Sequence, residues 1–297
     1  MKLLLARALI RLSSLLPIPA VYYLAVPLGW LGMLVPWRKR RIIRRNLELC
    51  FPDLSAAQRR AMERANLTEM LRLALESGAV WYWDGAKLKR HVRTVEGWPH
   101  VEDALAAGRG VLFLGAHLGN WELVSLYGSM RMPVAYLYQP PRDPAVDRAL
   151  KENRGRFGGE FIASGTPAMR TILRQLRRGG AVGLLCDQQP RRGEGVFAPF
   201  FGQPALTMTL VNRITRQTGC AVIFGHCLRL DRGRGWKIVI QPAGSRIAAA
   251  ESVEACTELN RMVEKGVRLA PEQYLWMYKR FDLQPAGRAN PYHEMGS

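Results

Sequence analysis

Acidic residues are scarce in this 297-residue chain: 24 Asp and Glu stand against 43 Lys and Arg, a formal net charge of +19. A globular body so unbalanced calls for an anionic counterpart, whether nucleic acid, a membrane surface, or acidic substrates and proteins. Cysteine is sparse as well. The five present (Cys50, Cys186, Cys220, Cys227 and Cys256) form no CxxC pair and no zinc-like spacing, which argues against a disulfide scaffold or a zinc site. They read as reduced, mostly buried thiols facing the cytosol, with a reactive Cys186 beside Asp187 as the less common alternative. Also missing are a Walker loop, a GxGxxG after a strand, a GxSxG elbow and an HExxH helix. Nucleotide chemistry, serine hydrolysis and zinc proteolysis therefore lose support.

Charge disappears altogether from Leu12 to Trp37. A bilayer-spanning helix needs about 20 apolar residues, so the stretch is long enough to span. Pro17, Pro19, Pro27 and Pro36 interrupt it, which makes a re-entrant hairpin an equal competitor to a straight helix. Trp37 is followed by RKRRIIRR, six basic residues in eight. Such a cluster stays on the cytoplasmic side, which argues against a cleaved export signal.

Beyond the anchor, Ser55 and Gln58 have the form of a capping box, and Leu67, Met70, Leu71 and Ala74 follow at helical spacing. Apolar runs of strand type then alternate with helical stretches: VLFLGAH (111–117), VAYLYQ (134–139), AVGLLCD (181–187), AVIFGHCL (221–228) and WKIVIQP (236–242). Alternation of this kind predicts an α/β fold, with a mixed, largely parallel sheet flanked by helices. Trp81, Tyr82 and Trp83 beside Lys87, Lys89 and Arg90 suit either an interfacial aromatic belt or core packing.

The richest chemistry lies in VLFLGAHLGNWELV (111–124). The buried-strand pattern runs to His117, a turn passes through Gly119 and Asn120, and a helix resumes carrying Glu122. A histidine at a strand's C-terminal mouth and a glutamate one turn into the next helix can face each other where ligands of open α/β sheets bind. That is the arrangement of a general base and the group that orients it.

The stretch GAHLGNWE resembles the first block of the bacterial late acyltransferases of lipid A biosynthesis, within the lysophospholipid-acyltransferase-like superfamily and its H-x4-D/E signature. Further segments are similar to that family in order: NLELCFPDLS (46–55), RFGGEFI (156–162), DQQPRRGEGVFAPFFGQPALT (187–207) and PEQYLWMYKRF (271–281). The resemblance implies a glycerolipid-acyltransferase-like fold with an N-terminal membrane-embedded helix or hairpin (1–45), an acyltransferase domain (46–282) and a flexible tail (283–297). It implies that His117, oriented by Glu122, deprotonates the hydroxyl of a 3-hydroxyacyl chain on a lipid A precursor, with acyl-acyl carrier protein as donor and no metal or cofactor. Asn120, Asp187 and Gln188 fall at substrate-binding positions. A functional arginine of the second block corresponds to Arg154 or Arg156, and the sequence does not choose between them. The F-P-E-G-T block of glycerolipid enzymes is replaced by GEGVFAPFFG, which counts against glycerol 3-phosphate as acceptor.

Thr166-Pro167 to Gly179 has the signals of a helix, with an apolar stripe (Met169, Ile172, Leu173, Leu176) and a basic one (Arg170, Arg174, Arg177, Arg178). The basic stripe is either a solvated face or a contact for carrier protein or lipid phosphates. The expected setting is the cytoplasmic face of a bacterial inner membrane, with membrane phospholipid as a partner and nucleic acid not one. Two rival readings remain: an acyltransferase for another acceptor lipid, with acyl-CoA as a possible donor, and a non-catalytic basic binder of membranes or nucleic acid.

Overall fold

The computed structural model describes residues 2–293. The helices are α1 (Lys2–Ser13), α2 (Ile18–Gly32), α3 (Arg38–Cys50), α4 (Ala56–Tyr82), α5 (Gly85–His91), α6 (Pro99–Ala106), α7 (Trp121–Ser129), α8 (Pro144–Gly155), α9 (Thr166–Arg177), α10 (Leu210–Thr218) and α11 (Ser252–Leu269). The strands are β1 (Val92–Glu96), β2 (Val111–Gly119), β3 (Val134–Tyr138), β4 (Glu160–Ala163), β5 (Ala181–Leu185), β6 (Gly195–Phe200), β7 (Gln203–Met208), β8 (Ala221–Arg229) and β9 (Trp236–Pro242). They fall into two compact units, one of residues 1–24, 72–185 and 217–242, the other of 25–71, 186–216 and 243–297.

The first unit holds a seven-stranded sheet ordered β1-β9-β8-β2-β5-β3-β4. Every neighbouring pair is parallel except β8 with β9. Parallel neighbours need crossovers, and α7, α8 and α9 provide them between β2, β3, β4 and β5. All five strands expected from apolar runs are present. The two edge strands, β1 and β4, escape sequence detection because they are four or five residues long and bury none of their side chains fully. A core of Leu88, Val101, Val111, Leu123, Ile223 and Trp236 among others fills the unit. Trp83 is part of that core, its Nε1 donating to Ser14 O at 2.8 Å, while Tyr82 stays exposed; core packing rather than a continuous aromatic belt describes this stretch.

The second unit is built on the β6–β7 hairpin, against which α11 packs. Its two-residue turn, Phe201-Gly202, has positive φ at both positions (48° and 73°), the conformation that matches strand twist in tight hairpins. Pro199 and Pro204 hide these strands from a sequence reading. At the start of α4 the capping box is present as expected, Ser55 N donating to Gln58 Oε1 at 2.8 Å and Gln58 N to Ser55 Oγ at 3.2 Å. In the described part of the expected flexible tail, Tyr292 is buried and its hydroxyl donates to Asn46 Oδ1 at 2.5 Å; the last four residues lie outside the described ones.

Among the described residues no single helix is long and apolar enough to cross a membrane. The straight span is therefore corrected: most of the apolar stretch is the helix Ile18–Gly32, bent by 119° from the preceding segment Arg7–Ser13. Pro17 and Pro19 explain the break, since a proline removes a backbone donor and clashes with the preceding turn.

Candidate functional site

Strand β2 runs in register with β8 from Val111 opposite Ala221 to Gly115 opposite Gly225, and then slips, so that Gly119 faces Cys227. Four steps along β2 thus span two along β8. The extra residues form a bulge, a device that re-aims a side chain at the end of a sheet, and His117 sits inside it. The imidazole is half-buried, its ring centroid 5.0 Å from that of Trp121. The strand continues to Gly119, two residues beyond where the apolar pattern ends. Gly119 takes φ +62° at the exit, and Asn120 caps α7 by accepting from Leu123 N at 3.2 Å.

The far end of the bulge is pinned from below. Asn120 N donates to Cys227 O at 2.7 Å, and Asn120 Nδ2 to Glu76 Oε2 at 2.8 Å. Arg229 Nε donates to the same Glu76 oxygen at 2.8 Å, and Arg229 Nη2 to Gly119 O at 3.3 Å. Both charged side chains are 3% exposed. A buried ion pair offsets its desolvation cost only when its remaining lone pairs and protons are used, and here they hold the backbone that follows His117. The sequence reading missed Glu76 and Arg229. Their signals were a lone acid in the apolar run LALESGAV and an arginine closing AVIFGHCLR. Asn120, expected at a substrate-binding position, is buried, and its side chain is occupied by the cap and by Glu76.

In the first turn of α7, Glu122 pairs with Arg154 of α8: Nε donates to Oε2 at 2.8 Å and Nη2 to Oε1. Each side chain is 22% exposed. Burial works against the Arg154 charge, but the Glu122 carboxylate outweighs it and holds the guanidinium above its ordinary range. The choice left open by the sequence is thereby narrowed. Arg154 meets the H-x4-E turn, whereas Arg156 donates to Val80 O at 2.5 Å and Trp83 O at 2.9 Å, and burial lowers it to about 10.

Glu122 and Arg154 line a cavity of about 110 Å³ whose other walls are almost wholly apolar, among them Phe113, Trp121, Val124, Leu185 and Ile238. Tyr136 closes one side, its hydroxyl donating to Ser125 O at 2.7 Å and its ring stacked on Phe161 at 5.0 Å. Gly183 leaves room for that ring, since a Cβ there would come within 2.5 Å of it.

Asp187 and Gln188 belong to the second unit, where Asp187 is buried and hydrogen-bonds Tyr274, whose hydroxyl burial pushes well up. The neighbouring Gln189 takes its backbone N–H to Tyr278 and its side-chain amide to the carbonyls of Lys279 and Arg280. The aspartate loop and the C-terminal signature are thus one hydrogen-bonded structure within that unit. Arg170, Arg174, Arg177 and Arg178 are exposed on or next to α9, opposite the buried Ile172 and Leu176. This helix begins one residue earlier than expected, with Gly165 as its cap. All five cysteines are buried, as expected, and burial followed by the Asp187 charge raises the Cys186 thiol well above its ordinary value. Among the described residues no three His, Cys, Asp or Glu side chains cluster as metal ligands.

The sequence profile described as bacterial lipid A biosynthesis acyltransferase matches residues 3–282. The chain is similar to the lipid A biosynthesis palmitoleoyltransferase of Escherichia coli K12, with 30% identity over 93% of this chain and 90% of the relative. It is 28% identical to the lauroyltransferase of the same strain, over 93% of this chain and 90% of that one. With the myristoyltransferase of that strain, identity is 24% over 86% of this chain and 78% of the relative.

Proposed function

Because the chain belongs to the bacterial lipid A biosynthesis acyltransferase family, we propose that it moves a fatty acyl chain from acyl-acyl carrier protein to the hydroxyl of a 3-hydroxyacyl chain on a lipid A precursor. The observation that supports the chemistry is that one unit holds the bulge carrying His117 and, five residues on, the Arg154-held Glu122 that lines the apolar cavity.

His117 is the general base. Arg154 occupies one lone pair on each Glu122 oxygen, and the remaining lone pairs accept the imidazole N–H, which fixes the tautomer. The other ring nitrogen takes the proton of the acceptor hydroxyl as its oxygen attacks the thioester carbonyl. The carbon–sulfur bond then breaks, the imidazolium returns the proton to the departing thiolate, and the products are an ester and free carrier thiol. General-base help of this kind contributes about 10²–10⁴-fold. The cavity takes the end of the acyl chain. At about 110 Å³ it is smaller than the ~150 Å³ void that admits benzene, so it holds a chain tip and the rest lies toward the mouth.

The bent apolar pair and the basic α3 that follows attach the enzyme to the cytoplasmic face of the inner membrane. Arg170, Arg174 and Arg178 offer the acidic carrier protein or lipid phosphates a charged stripe.

The test is to incubate detergent-solubilised protein with a tetra-acylated lipid A precursor and a panel of acyl-acyl carrier proteins, reading the lipid by mass spectrometry. A product heavier by one acyl group is expected, with turnover lowered at least 10²-fold in His117→Ala. No addition from any donor while a control enzyme works would remove the lipid A precursor as acceptor.

A further inference from the structure

Within the second unit, α3 buries Ile42, Ile43, Asn46, Leu47 and Cys50 and turns a different face outward. Arg41, Arg44, Arg45 and Glu48 stand on that face at i, i+3, i+4 and i+7, close enough to act together. They form one wall of a recess of about 960 Å³; the opposite wall is the tail, with Arg288, Asn290 and His293. This wall is built rather than draped. The Tyr292 hydroxyl is held between Phe281 N at 3.2 Å and Asn46, Arg45 Nε donates to Pro291 O at 3.2 Å, and Asn290 Nδ2 donates to Asp282 O at 3.0 Å.

Charge in the recess is one-sided: its lining has four arginines and a single carboxylate, Glu48. Glu48 is engaged by Arg45 at 3.3 Å. Arg44 reaches Glu63 only at 3.4 Å, because Arg40 holds that carboxylate at 2.5 Å. Like charges one turn apart on a helix oppose its formation, so a concave cluster of this kind is stabilised by a bound anion. Guanidinium forks match phosphate oxygens in pairs.

The chain just before α3 identifies the source of that phosphate. Leu28, Trp30, Leu31, Leu34, Val35 and Trp37 are all exposed, a concentration of large apolar side chains of the kind that marks a membrane contact. Trp37 is the N-cap of α3, and at 1.5 Å per residue Arg41 lies about 6 Å further along the axis. A headgroup layer is roughly 5–8 Å deep on each side of the hydrocarbon. With the apolar run in hydrocarbon, the arginines meet the headgroups. We propose that this recess is a binding site for the phosphate headgroup of an anionic membrane phospholipid, separate from the acyl-transfer chemistry; it rests on the membrane attachment proposed above.

The experiment is vesicle flotation of the full chain at 150 mM salt with phosphatidylcholine alone and with 30 mol% phosphatidylglycerol, comparing wild type, Arg41→Gln/Arg288→Gln, and Arg60→Gln/Arg109→Gln as a control that removes equal charge from exposed sites elsewhere. An arginine at an anionic surface is worth about fivefold in binding. Wild type should gain affinity on adding phosphatidylglycerol; the recess variant should lose about 25-fold of that gain and still float with phosphatidylcholine, and the control should keep it. Equal loss in both variants, or none in the recess variant, overturns the site and leaves membrane attachment standing. Abolition of the gain by 10 mM inorganic phosphate would make free phosphate the ligand, and loss of acyl carrier protein binding with lipid binding intact would make the recess a protein contact; either overturns the proposal. Failure of wild type to float with either vesicle removes both readings.

Discussion

At the residue scale the site depends on how two carboxylates are held. Glu122 has a bidentate guanidinium as its anchor, and the geometry of that fork is separable from its charge. Arg154→Lys keeps the charge and loses one charge-assisted hydrogen bond, worth about 1.5–3 kcal/mol. A fall in kcat on the order of 10- to 100-fold is expected, with the KM for donor little changed; an unaltered kcat would mean that Glu122 needs no fixed orientation. Glu76 tests the support beneath the bulge. Glu76→Gln leaves Arg229 buried without its counter-charge, which costs about 3–5 kcal/mol and should lower Tm. Adding Arg229→Gln should restore much of the stability but not kcat, because the Gly119 carbonyl has then lost its charged donor. If kcat returned together with Tm, the network would be structural only.

At the element scale the bulge in β2 and the amphipathic α9 do different things. The bulge places His117 by slipping the register against β8, a tertiary event. Helix α9 presents what its own sequence encodes, a buried Ile172 and Leu176 opposite exposed Arg170, Arg174 and Arg178. Neutralising Arg174 and Arg178 together should raise the apparent KM for acyl-acyl carrier protein at low salt and change little near 1 M salt, where exposed charges are screened beyond about 3 Å. Steady-state kinetics across a salt series measures this, and a flat KM would leave the stripe as a solvated face. The edge strands teach the complementary lesson: β1 and β4 have no apolar alternation to read because the sheet edge gives them little to bury.

For the whole molecule, the membrane attachment proposed above draws on the net charge of +19 and on the exposed apolar run through different physics. Electrostatic attachment weakens steeply with salt, whereas burial of apolar side chains does not. Membranes carrying the protein should therefore retain it through a 1 M salt wash and release it to detergent. Release by salt alone would make the charge the whole of the attachment and remove the apolar anchor. A charge-only binder should also be indifferent to His117→Ala, while the acyltransferase loses turnover with that single change.

The amino-acid sequence by itself determined the alternation of strands and helices, the capping box at Ser55, the stripes of α9, and the succession of motifs from residue 46 to 281 that resembles one family. These are legible because they are local: periodicity, caps and spacing need no partner from elsewhere in the chain. Only the tertiary structure decided that Arg154 rather than Arg156 meets Glu122, that Asn120 faces inward to Glu76, and that His117 rides on a bulge. Each of those facts joins residues 30 or more positions apart or depends on the register between two strands, and composition and spacing carry no record of either. The break in the apolar stretch stands between the two cases. Its prolines are plain in the sequence, but the bend of 119° between the two helical segments was set by folding.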